Sequence, residues 1–203
     1  MLQIRTVAPD TLELLKKLQS IPEMADTRLV GGTALAFHLG HRLSIDLDLF
    51  GHFDQETITE TLKSEAFDYF TILTDGKSIK HYLINQVKVD LVKYDRYQWL
   101  EDVIYDDQIR IAGLKDIAAM KIAAITNRGS KKDFIDLFFL LKPFSIKEII
   151  GFYQMKYPDS NTFSAIRSLT YFDDAEKGES PKMLIPTNWK DVKERIIAEV
   201  KQL

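Results

Sequence analysis

Asp46 and Asp48 stand two apart in Ile45-Asp-Leu-Asp-Leu-Phe50, so strand alternation turns both carboxylates to one face while Ile45, Leu47 and Leu49 take the other. Like charges side by side on a strand repel, and a divalent cation with oxygen ligands neutralises such a pair well. An isolated D-x-D is nevertheless more often a solvated polar face. A third acid, Asp90, lies in Val87-Lys-Val-Asp-Leu-Val92, opposite an apolar face of Val87, Val89 and Leu91. With the two strands adjacent, the three acids can hold two magnesium ions, which bridge nucleotide phosphates and stabilise the attacking and leaving oxygens of an in-line displacement. With the strands apart, Asp90 is a lone charge on a wet face. Upstream, Gly31-Gly32-Thr33 joins a strand to a helix, where the chain can approach a ligand closely and the first helical N–H groups attract phosphate. The Thr33 hydroxyl either caps its own helix or bonds that phosphate, and a bare Gly-Gly is more often only a tight turn.

A second group lies further on. Lys121 is the one charge in Ile117-Ala-Ala-Met-Lys-Ile-Ala-Ala-Ile125, on a helix apolar almost all round. Such a lysine either snorkels to the surface or reaches into a cleft as a compact positive charge. In Arg128-Gly-Ser-Lys-Lys-Asp-Phe-Ile-Asp136, Asp133 and Asp136 fall one turn apart near a helix start, where acids suit the helix dipole. Functionally, Asp133 can orient Lys121 or a substrate group, and Lys131 and Lys132 can meet an acceptor's phosphates. The histidines show no metal-site spacing: Gly40 interrupts the helix between His38 and His41, and His52 and His81 have no partner at a recognisable distance in sequence.

The elements that must position these groups divide near residue 105. Asp10 is the expected cap of a helix to residue 20, and strands are expected over 27–30, 44–50, 69–74, 79–84 and 87–92. A short helix over 33–39 closes at Gly40, and Asp54 can cap another to residue 64. Beyond Asp106 the strands are expected to stop, with helices over 114–127, 131–141, 145–155 and 189–200. Residues 171–186, with Gly178, Pro181 and Pro186, look like a long surface loop. Phe134, Phe138, Phe139 and Phe144 suit a lobe core better than a base-stacking platform, and Trp189 suits an anchor for the last helix. The reading is α+β: a mixed sheet with flanking helices over 1–105, then a helical C-terminal lobe over 106–203.

Composition sets the outer bounds. The chain has 203 residues, 45% hydrophobic and 28% charged, which excludes disorder as the main state. There is no cysteine, which excludes thiolate metal sites and cysteine nucleophiles and suits a cytoplasmic location. No apolar run approaches the roughly 18 residues of a membrane span, so no membrane partner is expected. A net charge of −3 excludes coating nucleic acid through bulk positive charge, leaving only a local patch.

The string Gly31-Gly-Thr, then Asp46-x-Asp48, then Asp90 on a later apolar strand, resembles the signature of the polymerase-beta-type nucleotidyltransferase fold. The longer wording, Gly-Gly-Thr-Ala-Leu followed by Leu-Gly-His-Arg-x-Ser-x-Asp-Leu-Asp-Leu-Phe, is similar to its AbiEii/AbiGii-type toxin branch. The resemblance implies an enzyme that uses Mg²⁺, as one ion or two, to move a nucleotidyl group from a nucleoside triphosphate to an acceptor such as the 3′ end of tRNA. It implies a toxin, opposed by a separate antitoxin. By residue it implies Gly31, Gly32 and Thr33 at the triphosphate, with Arg42 and Ser44 beside the phosphates and Lys121 reaching them. It implies Asp46, Asp48 and Asp90 at the metal, with Asp90, Lys121 and Asp133 catalytic. As plainer accounts, Arg42 is a surface charge and Ser44 begins a strand. A protein or small-molecule acceptor, or a nucleotide- or partner-binding module without turnover, are the competing functions.

Overall fold

Seven strands form one mixed sheet in the computed structural model, which describes residues 2–203. They are β1 (Arg28–Val30), β2 (Leu47–Gly51), β3 (Phe70–Asp75), β4 (Ile79–Ile84), β5 (Val87–Lys93), β6 (Ile104–Asp106) and β7 (Ile109–Ile111). Their order is β3-β4-β5-β2-β1-β7-β6, with β2 parallel to β5, β1 parallel to β7 and the other pairs antiparallel. Two tight hairpins carry the sharpest bends. Asn85 and Gln86 take φ of 48° and 67°, and Asp107 and Gln108 take 44° and 68°, the successive left-handed pair that matches strand twist in a two-residue turn.

The helices are α1 (Pro9–Ser20), α2 (Gly31–Leu39), α3 (Ile58–Ser64), α4 (Leu114–Asn127), α5 (Lys131–Leu140), α6 (Ile146–Lys156), α7 (Thr162–Ser168), α8 (Asp173–Glu176) and α9 (Trp189–Val200). Gly40 ends α2 in the left-handed conformation at φ 64°, with its N–H on the Ala36 carbonyl. Ser145 opens α6 with a reciprocal capping box to Glu148. Sheet and helices share one hydrophobic core, in which Leu29, Leu47, Leu49 and Leu91 of the sheet meet Ile117, Ile122, Phe134 and Leu137 of the helical lobe. Trp189 docks α9 by edge contacts to Phe134 and Phe172.

Several expectations need correcting. Strands do not stop at residue 106: β7 follows and pairs with β1, so the division near 105 passes through the β6–β7 hairpin. The strand expected over 44–50 begins only at Leu47: Ser44 N donates to the Thr6 carbonyl and the Asp46 carbonyl accepts from the Thr33 hydroxyl. Asp10 sits inside α1, which starts at Pro9 and has no side-chain cap, and Asp54 bonds the Glu56 N–H ahead of α3 rather than capping it. Residues 171–186 contain α8, and α7 precedes them. Their last part is no plain surface loop. Leu43 N donates to the Lys182 carbonyl (2.9 Å), and Leu184 N and Ile185 N donate to the His41 carbonyl (2.9 and 3.1 Å), strapping the helical lobe back onto the sheet lobe.

Candidate active site

The site grows from one row across the sheet. The registers put His81 of β4 opposite Asp90 of β5, Asp90 opposite Asp48 of β2, and Asp48 opposite Val30 of β1. Partners in register share a face, so these residues stand abreast at a strand spacing of about 4.8 Å. Leu47, Leu49, Val89 and Leu91 alternate onto the opposite face, each no more than 1% exposed, and their burial holds the acids on the open side. Asp46 comes immediately before β2 and lines the same cavity as Asp48 and Asp90.

Next to Val30 the chain turns into α2. Gly31 has φ 69°, and a methyl group there would overlap the Asp48 carboxylate. A methyl on Gly32 would overlap the Arg42 guanidinium. Both glycines are therefore required by conformation or close approach. Val30 offers no side-chain cap, so the first N–H groups of α2 are left for a ligand. Thr33 does not face that ligand with its hydroxyl. It is 1% exposed, donates to the Asp46 carbonyl and lies 2.9 Å from the Ser44 hydroxyl, thereby fixing the loop that carries the acids.

The acids differ in their surroundings. Burial and the neighbouring Asp90, with a further contribution from Asp46, push Asp48 up to about 6, and Lys121 and Arg128 only partly oppose this. No hydrogen bond from the described residues reaches the carboxylate of Asp46 or Asp48. Asp90 is better supplied: Oδ1 lies 2.6 Å from His81 Nδ1, and Oδ2 accepts from Lys88 Nζ at 2.9 Å.

The same cavity is bordered by a buried ionic hub. Asp136 is fully buried and accepts from Arg42 Nε (2.7 Å) and Nη2 (2.9 Å), with His41 Nε2 at 2.8 Å and Lys121 Nζ at 2.6 Å. Asp133 accepts from Lys121 Nζ (3.2 Å), Arg128 Nε (2.9 Å) and the Ser130 hydroxyl (2.5 Å). Burial works against ionisation of both acids, yet Lys121 with Arg42 or Arg128 holds each well below the usual carboxylate range. Arg42 and Lys121 are each 4% exposed. Arg42 is thus no surface charge, and Lys121 neither snorkels nor stands free: both are held by Asp136, 94 and 15 positions away in sequence respectively.

These groups surround a cavity of about 820 Å³, within the usual range for small-molecule sites. Its lining combines Gly31, Gly32, Asp46, Asp48 and Asp90 with the cations Arg42, Lys121, Arg128 and Lys132, the apolar groups Phe50, Ile117 and Met120 with Tyr157, and residues 179–182 of the strap. Ser44 lines the cavity as well, whereas Thr33 and Asp133 stand behind it. Among the described residues no group of three or more His, Asp or Glu side chains is already arranged to hold a metal ion. The donor set still suits a hard divalent cation: the three acids offer carboxylate oxygens, and no hydrogen bond from the described residues occupies those of Asp46 or Asp48.

Sequence reasoning passed over three participants. His81 has a carboxylate partner after all, nine positions away, but only the β4–β5 register reveals it. Lys88 bonds Asp90 from two residues earlier on the same strand, a local signal. Lys182 reaches the cavity through the strap, a long-range backbone pairing without a sequence signature.

A family model described as "Nucleotidyl transferase AbiEii toxin, Type IV TA system" matches residues 13–202. An uncharacterized protein of Aquifex aeolicus (strain VF5), aq_aa25, is 34% identical, covering 98% of this chain and 98% of its own. Among solved structures, JHP933 from Helicobacter pylori superposes with a TM-score of 0.58 at 17% identity, over 97% of this chain and 92% of the other. MenT4, a nucleotidyltransferase toxin of Mycobacterium tuberculosis H37Rv, gives 0.51 at 14% identity, over 95% and 85%. At these identities the two structures speak to the α+β fold alone, and no helix among the described residues is long and apolar enough to cross a membrane. By its family model and its nearly full-length relative, the chain belongs to the AbiEii nucleotidyltransferase toxin family and is an enzyme of that class.

Proposed function

We propose that the cleft transfers a nucleotidyl group from a nucleoside triphosphate to a hydroxyl of RNA, with tRNA as the first acceptor to test. The observation that carries this reading is the register that sets Asp48 beside Asp90, with Asp46 and the uncapped start of α2 on the same cavity. Asp46, Asp48 and Asp90 would hold Mg²⁺, as one ion or two, which would neutralise phosphate charge and favour departure of pyrophosphate.

The chain's own groups perform the remaining tasks. Backbone N–H groups following Gly31 and Gly32 receive phosphate oxygens, because neither glycine has a side chain to obstruct them. The nucleoside packs on the apolar lining of Phe50, Ile117, Met120 and Tyr157. Asp90, held in place by His81 and Lys88, accepts the proton of the acceptor hydroxyl as its oxygen attacks the α-phosphorus and pyrophosphate leaves. Asp133 and Asp136 orient Lys121, Arg128 and Arg42 toward the cavity without contacting substrate themselves. Because the net charge is −3, an RNA acceptor is held locally, by cationic groups such as Arg128 and Lys131 near the cleft.

In a cell this activity acts as a toxin that a separately encoded antitoxin opposes. The test is a mass shift on total tRNA, a protein lysate and small-molecule acceptors, each incubated with the four ribonucleoside triphosphates and Mg²⁺. A nucleotidyl increment on tRNA supports the proposal. An increment confined to protein or small molecules corrects the acceptor, and triphosphate binding without any increment makes the chain a non-catalytic binding module.

A further inference from the structure

We infer that Ile45 is the seat for the base of the acceptor nucleotide, the one whose hydroxyl attacks, an inference that rests on the reading of the cleft as an RNA nucleotidyltransferase. Period-two alternation along Ile45-Asp46-Leu47-Asp48-Leu49 would bury Ile45 on the same face as Leu47 and Leu49. Those two leucines are completely buried, whereas Ile45 is 68% exposed and lines the cavity beside Asp46. The other large apolar side chains of the cavity, such as Phe50, Ile117 and Met120, are buried or half-buried. A side chain that lines a cavity yet stays mostly in water stands at its mouth.

Three hydrogen bonds pin this position. Leu43 N donates to the Lys182 carbonyl (2.9 Å), Ser44 N donates to the Thr6 carbonyl (3.0 Å), and the Asp46 carbonyl accepts from the Thr33 hydroxyl. An exposed apolar group on so fixed a backbone loses little freedom when a ligand covers it. The segments bonded to this stretch carry exposed aliphatic side chains of their own: Ile4 in the short turn that ends at Thr6, and Leu184 and Ile185, whose N–H groups meet the His41 carbonyl. A cleft that already holds a triphosphate and three acids repels the phosphates of an incoming RNA. The bases are the uncharged part of that RNA, and their faces gain by covering apolar surface. The attacking hydroxyl has to come within hydrogen-bond reach of Asp90, so its nucleotide passes the mouth where Ile45 stands. Its base lies on Ile45, while the outer phosphates are left to cations such as Arg128 and Lys131.

Steady-state transfer from α-labelled ribonucleoside triphosphates to total tRNA in Mg²⁺ would compare wild type, Ile45→Ser, Ile45→Leu and Phe163→Ser, with donor affinity read by calorimetry on α,β-methylene triphosphate analogues. Losing the apolar contact of one partly covered aliphatic side chain should raise KM for tRNA roughly tenfold in Ile45→Ser, with kcat and donor Kd within about twofold of wild type. Ile45→Leu, which keeps an apolar side chain of the same size, should restore most of that loss. Phe163 is as exposed as Ile45 but lies on α7, outside the cavity lining, so Phe163→Ser should leave KM for tRNA where it was. The melting temperature of Ile45→Ser should match wild type, since the side chain it removes is exposed. An unchanged KM for tRNA in Ile45→Ser, a donor Kd that weakens along with it, or an equal loss in Phe163→Ser overturns the inference. With wild type labelling tRNA, those results leave the functional reading standing, whereas wild type that labels no RNA overturns both.

Discussion

Replacing Asp48 by asparagine should make the metal-free protein more stable while destroying its activity. Asp48 is buried and stands abreast of Asp90, with Asp46 nearby, and burial first and those acids second push its carboxyl from 3.8 up to about 6. A pKa raised in the folded state means that ionisation costs stability. The cost is absent below pH 4, grows as pH rises through the interval between the unfolded and folded values, and is complete above about 6. A rise of about two units corresponds to at most about 3 kcal/mol at neutral pH. For a chain of this length that is a gain of up to roughly 6–12 °C in melting temperature for Asp48→Asn at pH 7, with no gain at pH 4. Differential scanning calorimetry in EDTA at both pH values checks this, and added Mg²⁺ should then raise wild type while leaving the variant where it was. A variant that melts at or below the wild-type temperature at pH 7 in EDTA would refute the claim that Asp48 is ionised against its burial and the neighbouring acids.

The opposite sign is expected at the hub. Asp136→Asn removes one of the two buried acids that compensate Arg42 and Lys121, and breaking a buried ion pair from one side typically costs about 3–5 kcal/mol, so denaturant midpoints should fall sharply. Because Asp136 is held well below its usual range, stability should also drop as pH falls through the acid region, and the variant should lose that dependence. Gly31→Ala puts a methyl group on the Asp48 carboxylate at a positive φ, and displacing a catalytic group by about 1 Å can cost on the order of 100-fold in rate, to be read in steady-state transfer assays. Thr33→Val removes the donor to the Asp46 carbonyl and should cost about 1–3 kcal/mol in chemical denaturation, with loss of activity from a looser Asp46.

The parts of this site that were legible in sequence are those written in short-range periods. Asp48 and Asp90 announce themselves because period-two alternation sets each against buried neighbours, and Gly31-Gly32 because a strand meets a helix there. Helices α4 and α9 were legible to the residue from their spacing. What stayed hidden depends on partners far along the chain. Arg42 looks like a surface charge until Asp136, 94 residues on, is folded against it. His81 looks solitary until β4 and β5 pair. Strand β7 has only three residues, too few to show a period, and owes its conformation to β1. The strap over residues 179–185 is built from backbone hydrogen bonds, to which side-chain identity contributes almost nothing.

The central claim is that Asp46, Asp48 and Asp90 act together on the α-phosphorus of a nucleoside triphosphate. Parallel reactions with α-labelled and γ-labelled triphosphate, Mg²⁺ and total tRNA test it directly, using wild type and the Asp46→Asn, Asp48→Asn double variant. Wild type should place α-label, and no γ-label, on the acceptor, and the folded double variant should place neither. Transfer of γ-label by wild type, or α-label transfer by the double variant at the wild-type rate, would contradict it.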